Sequence, residues 1–192
     1  MSATRGFRAS LDLIEVCTEF WDIGHKVFKS TPESFPVKFI AGDAFDDAFL
    51  VRAPVATAPP SDALDLASIT SLTPLHGRLA AIHASSFFHL FGEAQQAELA
   101  RRLASLLSPT PGSFIFGLHL AHPEKGLRTE FTRPNAPGVS MFCHGPASWV
   151  QLWEEVFGAG SVDVQTDLQE VVRKDVPEGT KTYIMTWSVR RL

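Results

Sequence analysis

The chain has 192 residues, of which 45% are hydrophobic and 20% are charged, and this composition is typical of one soluble globular domain with a substantial core. The net charge of −4 indicates no basic surface for nucleic acid, and no apolar run approaches the roughly 18 residues that cross a membrane. Cys17 and Cys143 are far apart and form no metal-binding pattern, so both are predicted to be reduced thiols in a cytoplasmic protein.

The first part of the chain alternates between strand and helix patterns. Residues 11–16 (LDLIEV) are a short apolar run before a polar break, which predicts a buried strand. Apolar residues recur at helical spacing in residues 19–28 (EFWDIGHKVF), and residues 37–45 (VKFIAGDAF) predict a second strand that ends in a Gly-Asp turn. Prolines exclude regular structure from the beginning of the next segment, and residues 64–72 predict a short helix after it.

The middle of the chain has the strongest periodic patterns. Residues 93–108 (EAQQAELARRLASLLS) and 146–158 (PASWVQLWEEVFG) carry apolar side chains on one helical face, with proline or glycine at their ends. Buried strands are predicted at the beginning of residues 78–91 and over residues 112–120 (GSFIFGLHL). A long polar loop is predicted over residues 122–138.

The end of the chain predicts a hairpin. Two strand patterns, residues 161–171 and 182–192, are linked through DVPEGT and should pair antiparallel. The alternation of strands and helices before them predicts the α/β class, with a mostly parallel sheet covered by helices on both faces. We therefore expect an α/β sheet that ends in an antiparallel hairpin.

The order of these patterns and several local motifs carry a family resemblance. The motifs are EFWDIGHKVF, FPVKFIAGDAFD, IHASSFFHLFGEAQQAELARRLASLLSPTPGSFIFG, MFCHGPASWVQLWEEVFG and WSVRRL. Over residues 11–192 the chain resembles the class I S-adenosylmethionine-dependent methyltransferases, in particular fungal enzymes that modify terpenoid and meroterpenoid secondary metabolites. The resemblance implies a Rossmann-like sheet, S-adenosylmethionine as cofactor, and O- or carboxyl-methylation of a small-molecule substrate.

One part of the family pattern has no counterpart in the sequence. The family's first strand, first helix and glycine-rich turn precede the second strand, whereas only residues 1–10 (MSATRGFRAS) precede the first predicted strand here. We expect a single, N-terminally truncated domain over residues 1–192, with unpaired strand edges where the first strand would lie. The alternatives are a truncated gene model, a non-catalytic binding or scaffold protein, and a homo-oligomer or partner chain that covers the missing strand.

The resemblance implies cofactor contacts at the ends of the predicted strands. In the family an acidic residue after the second strand binds the ribose, and Glu15, followed by Val16, has that place. The third strand ends beside the adenine, and the matching residues are Gly42, Asp43, Ala44 and Phe45. The fourth strand ends beside the methyl donor, and the matching residues are His83, Ala84 and Ser85.

Four histidines are the candidates for chemistry. His83 and His89 are the first candidates for a catalytic base, which is needed only if a hydroxyl is methylated and not for a carboxylate. His89, His119 and His144 are predicted substrate contacts, because ligands of open α/β sheets bind outside the carboxyl ends of the strands. No metal is implied. A nicotinamide dehydrogenase would share the ribose-binding acid, but the terminal hairpin and the GDAF turn disfavour it.

Overall fold

A computed structural model of the protein describes residues 18–130 and 137–192. The strand predicted over residues 11–16 lies outside this range. The chain divides into two compact units, and each has its own buried residues. The units comprise Met1–Val51 with Asp62–Leu75, and Arg52–Ser61 with His76–Leu192.

The described part of the first unit begins with helix α1 (Thr18–Phe28), which confirms the helix predicted there. The Trp21 ring stacks on the Phe39 ring with 4.8 Å between centroids, and the His25 ring meets it edge-on at 5.1 Å. The apolar residues whose spacing predicted α1 are exposed, with 48% to 82% of their surface accessible: Phe20, Ile23, Val27 and Phe28. The periodicity therefore locates the helix, although this stripe is not buried in the structure.

The strand predicted over residues 37–45 is wrong, because these residues adopt no strand. A strand exists only as part of a hydrogen-bonded ladder with a neighbouring segment. The Val37 N–H instead donates to the Phe35 carbonyl at 2.8 Å, and the Asp46 N–H donates to the Asp43 carbonyl at 3.1 Å. Local turns therefore take up backbone groups that a strand would use for pairing.

The short helix predicted over residues 64–72 is also wrong. The Asp65 carboxylate accepts the Ala67 N–H at 2.9 Å, and this local bond holds a turn in competition with a helix. The segment is fixed further along, where the Leu72 N–H donates to the Phe49 carbonyl at 2.8 Å. A 3₁₀ helix, Thr73–Leu75, follows. The buried apolar residues of the first unit are Ile40, Ala44, Phe49, Leu50, Ile69, Leu72 and Leu75.

The described residues of the second unit form a four-stranded sheet, two α-helices and a two-stranded sheet. In chain order its elements are β1 (Ala81–His83), α2 (Glu93–Leu106), β2 (Phe114–Ala121), β3 (Gly126–Glu130), β4 (Val139–Cys143), α3 (Pro146–Phe157), β5 (Val162–Val171) and β6 (Thr182–Arg191). The four-stranded sheet has the order β1-β2-β6-β5. Only the β1–β2 pair among these described strands is parallel. The α/β character is confirmed, but the described sheet is mixed and not mostly parallel.

Both strongly predicted helices are confirmed. Helix α2 buries Leu99 and Leu103 on the face that predicted it, and it ends where Leu107 becomes extended before Pro109. Helix α3 begins at Pro146, which suits a first helical turn, and buries both of its tryptophans. It ends at Gly158, whose φ of 93° is unfavourable for other residues. Along the described chain, no helix is both long and apolar enough to cross a membrane.

The long polar loop predicted over residues 122–138 is wrong in part. Strands β3 and β4 pair antiparallel, with Gly126 opposite Cys143 and Glu130 opposite Val139. The sequence of β3 is polar and its Leu127 is 69% exposed. The strand is therefore defined by its pairing with β4 and not by a hydrophobic pattern of its own.

The terminal hairpin is confirmed, and it gives the four-stranded sheet two different faces. Strands β5 and β6 pair antiparallel over their full length, from Val162 opposite Arg191 to Val171 opposite Thr182. One face of the sheet is buried and carries Ile115, His119, Met185, Trp187 and Val189. On the opposite face three side chains of β2 remain 37% to 38% exposed: Phe114, Phe116 and Leu118.

Candidate functional site

The parallel strands β1 and β2 end at the same edge of the sheet, which is where ligands of α/β sheets usually bind. The chain leaves β1 through Ser85 and Ser86, and the Ser86 N–H still donates to the Leu118 carbonyl at 2.7 Å. Ser86 has a φ of 52°, which is uncommon for a residue with a side chain. The chain then enters a 3₁₀ helix, Phe88–Leu90, which contains His89.

His83 and Ser85 lie together on the partly exposed face of the sheet. Ser85 Oγ is 2.7 Å from His83 Nε2 and also accepts the Leu118 N–H at 3.2 Å. The His83 ring lies 4.9 Å from the Phe116 ring. The intervening Ala84 is buried, and its N–H donates to the Phe116 carbonyl at 2.9 Å. Ala84 and Ser85 thus continue the contact with β2 beyond the end of β1.

The other three predicted histidines come together on the buried side, and we call His89, His119 and His144 the histidine cluster. The rings of His89 and His119 are 6.4 Å apart. The Trp149 ring contacts both His119 and His144, with its centroid 4.6 Å from that of His119 and 5.4 Å from that of His144. The structure therefore groups three of the four predicted histidines and places His83 on the opposite face of the sheet.

Two residues that the sequence did not single out orient the cluster. The Trp187 indole N–H donates to His119 Nδ1 at 3.0 Å, and Ser148 Oγ lies 2.9 Å from His144 Nδ1. Ser148 follows His144 by four residues. Trp187 stands opposite Gly117 in the β2–β6 register, diagonal to His119. A glycine in the middle of a strand often marks the close approach of another group. Gly117 is therefore the sequence signal that could have indicated a contact at this position.

Burial keeps the histidine cluster neutral. Burial lowers the pKa of His119 to about 3, and repulsion by His89 and His144 acts in the same direction. Burial also lowers the pKa of His144 to about 4 and lowers the pKa of His89. At neutral pH these imidazoles are therefore uncharged. Each can donate and accept hydrogen bonds but is a weak proton acceptor.

Each imidazole of the cluster has one buried nitrogen without a hydrogen-bond partner among the described residues. These atoms are His89 Nδ1, His119 Nε2 and His144 Nε2. Because His119 Nδ1 accepts the Trp187 N–H, the proton of its neutral ring is assigned to Nε2, which is then a donor. Unpaired buried polar atoms are costly, so the cluster suits a ligand oxygen or bound water.

The predicted adenine-binding residues lie in a turn of the first unit. Asp43 Oδ1 accepts the Phe45 N–H at 2.8 Å, and Asp43 is exposed while Ala44 is buried. Gly42 has a role that needs no cofactor, because a Cβ there would overlap the Phe49 ring. Glu15 and Val16, the predicted ribose contacts, lie outside the described residues. No His, Cys, Asp or Glu group within the described ranges could hold a metal ion.

Comparison with known proteins finds relatives but no matching family model. The chain is 29% identical over 156 residues to the O-methyltransferase phiE of Fungal sp. (strain ATCC 74256), which covers 81% of the chain and 44% of that relative. It is 27% identical over 179 residues to the methyltransferase ausD of Aspergillus calidoustus, which covers 90% and 54%. It is 33% identical over 85 residues to the asnovolin E/chermesin D methyltransferase nvfJ of Aspergillus novofumigatus (strain IBT 16806), which covers 44% and 29%.

These relatives are all named methyltransferases and all come from fungi. The similarity supports a methyltransferase family for this chain. The chain spans about half the length, or less, of the curated relatives it matches.

Proposed function

We propose that the chain acts as an S-adenosylmethionine-dependent methyltransferase of secondary metabolism that methylates an oxygen atom of a small molecule. The observation that carries the proposal is similarity along 81% to 90% of the chain to fungal proteins named methyltransferases, one of them an O-methyltransferase. The relative nvfJ is named for two small-molecule substrates, asnovolin E and chermesin D. A small molecule of this general kind, a terpenoid included, is therefore the proposed substrate class.

The turn at Asp43 suits one end of the proposed cofactor. One carboxylate oxygen of Asp43 is held by the Phe45 N–H, which fixes the orientation of an exposed carboxylate. Its second oxygen would accept a hydrogen bond from the adenine amino group. Glu15 is the proposed partner of the ribose hydroxyls. When bound, S-adenosylmethionine supplies an electrophilic methyl group.

The histidine cluster is the proposed contact for the substrate oxygen. The neutral His119 ring offers its Nε2–H as a donor, and such a donor would orient a substrate oxygen without transferring a proton. The lowered pKa values make His89 and His144 poor bases. We therefore favour a carboxylate as the methyl acceptor, because it needs no base. For a hydroxyl substrate, His83 would be the base candidate, because the lowered pKa makes His89, the other candidate from the sequence, a poor base.

Calorimetric titration of the full chain with S-adenosylmethionine tests the proposal. We expect a dissociation constant below about 1 mM. Asp43→Asn keeps the turn, because the amide oxygen still accepts the Phe45 N–H, but it places an NH₂ donor where the cofactor's amino group needs an acceptor. Binding by this variant should weaken about tenfold or more. Asp22→Asn, an exposed residue of α1, is the matched control.

Two results would count against the proposal. The absence of binding heat at millimolar cofactor would reject an intact cofactor site in this chain and would favour the non-catalytic binding protein. Equal affinity of the Asp43→Asn variant and the unmodified chain would reject the role of Asp43 alone. If a second copy of the chain completes the site, the measured affinity for the cofactor should rise with protein concentration.

A further inference from the structure

A cleft of about 360 Å³ lies in the second unit, apart from the histidine cluster. It is formed by the irregular segment that precedes residue 61, by α2 and by the C-terminal end of α3. Its lining residues are Arg52, Ala53, Pro54, Val55, Arg101 and Val156. The histidine cluster meets α3 at its other end, and a helix of 12 residues is roughly 18 Å long. The cleft is therefore a separate feature from the candidate site.

The cleft has an excess of positive charge. Glu98 is the carboxylate beside it, and it accepts the Arg102 Nε–H at 2.9 Å and pairs with Arg52 at 3.3 Å. Arg101 is half-buried and has no ion pair within the described ranges. Two guanidinium groups, those of Arg52 and Arg101, and no carboxylate are among the residues that line the cleft, in a chain whose net charge is −4. A half-buried guanidinium without a counter-ion is a favourable place for an anion to bind.

The remaining walls of the cleft are apolar. Val55 and Val156 are partly exposed, and Pro54 fixes the backbone of the segment between Arg52 and Val55. A volume of about 360 Å³ is near the lower end of the roughly 300–1,000 Å³ found for small-molecule sites. The cleft therefore combines two guanidinium groups at its rim with a small apolar wall, which matches an amphipathic anion.

We propose that this cleft binds a small monocarboxylate with a short alkyl chain or a single ring. The carboxylate would receive hydrogen bonds from Arg101 and Arg52, because guanidinium groups match carboxylates geometrically. The apolar part would cover Val55 and Val156 and remove their surface from water. The alternative is that the Arg101 stem merely shields Val156 while its charge stays in water.

The experiment is a titration of the full chain with hexanoate, followed by amide chemical shifts in NMR spectra. Hexanol is the neutral probe of the same length, and inorganic phosphate is the anion without an apolar tail. We expect saturable shifts with hexanoate at millimolar concentration and weaker binding of both other probes. Arg101→Gln should weaken hexanoate binding about tenfold or more, because it removes a charge-assisted bond. Lys174→Gln, which removes an exposed charge elsewhere, should leave the affinity unchanged.

Each other result would overturn the proposal. Equal binding of hexanol would reject the role of the arginines, and equal binding of phosphate would reject an amphipathic ligand. Unchanged hexanoate affinity in Arg101→Gln, or no saturable shift with the unmodified chain, would reject the site. Arg52→Gln provides a second variant because its side chain is 58% exposed, so its folding should be unaffected. None of these measurements uses S-adenosylmethionine, so the outcome is independent of the proposed function.

Discussion

The burial of His119 predicts a specific loss of stability in acid. Burial lowers the pKa of His119 to about 3 in the folded state, whereas an unfolded histidine has a pKa of about 6.5. Between these two values the unfolded state binds more protons than the folded state. Stability is therefore fully present above about pH 6.5 and falls progressively as the pH decreases toward 3.

The size of the effect follows from the two pKa values. Between about pH 7.5 and pH 5, His119 alone should reduce the free energy of unfolding by about 2 kcal/mol. His144, whose pKa is lowered to about 4, adds a loss of the same sign. A loss of this size is a large fraction of the roughly 5–15 kcal/mol that stabilises most domains.

The assay is urea unfolding at the two pH values, followed by tryptophan fluorescence, which reports mainly on the second unit because it contains Trp149, Trp153 and Trp187. His119→Gln preserves an acceptor for the Trp187 N–H but cannot titrate. Its acid-induced loss should be smaller than that of the unmodified chain by about 2 kcal/mol. His83→Gln, which removes an exposed histidine, is the control. An equal loss in the His119→Gln variant and the unmodified chain would refute the reasoning.

The remaining predictions concern packing. Leu99→Ala on α2 removes a fully buried side chain and should lower the free energy of unfolding by about 2–5 kcal/mol, whereas Leu127→Ala at an exposed position should change it by less than about 0.5 kcal/mol. Gly117→Ala places a Cβ against the Ala84 carbonyl and should cost about 1–3 kcal/mol, whereas Gly92→Ala meets open space. Urea unfolding measures all four variants, and equal stability within either pair would contradict the packing described.

The elements that the sequence predicted correctly are those whose own residues carry the signal. Helices α2 and α3 have long apolar stripes with proline or glycine at their ends, so local patterns are sufficient. Strands β5 and β6 have a turn sequence between them and pair with each other along their full length. For these elements, periodicity and turn chemistry agree with the tertiary structure.

The incorrect predictions concern segments whose state depends on a partner. Residues 37–45 have a strand-like composition, but pairing decides whether a strand forms, and composition does not report pairing. Strand β3 is the opposite case, because its polar sequence becomes a strand by pairing with β4. The helix predicted over residues 64–72 is wrong for a local reason, because the Asp65 hydrogen bond to the Ala67 N–H stabilises a turn and the helical pattern is weak.

The candidate site was predictable in part. The rule that ligands bind at the carboxyl ends of strands selected His89 and His119, whose rings lie 6.4 Å apart, and their contact with a substrate stays a prediction. The rule does not say which face of the sheet a side chain occupies, and His83 lies on the other face. It also gave no reason to select Trp187, whose bond to His119 depends on the pairing of strands distant in sequence.

The position of β6 has a consequence for biosynthesis. This strand is the last of the described strands in chain order, yet it lies between β2 and β5 in the sheet. While the chain is being made, β2 has no neighbour on that side until residues 182–191 have emerged from the ribosome. Unpaired strand edges invite pairing with other chains. A pause in translation before these residues, or their loss, should therefore favour aggregation of the nascent protein, because it leaves the edge of β2 unpaired.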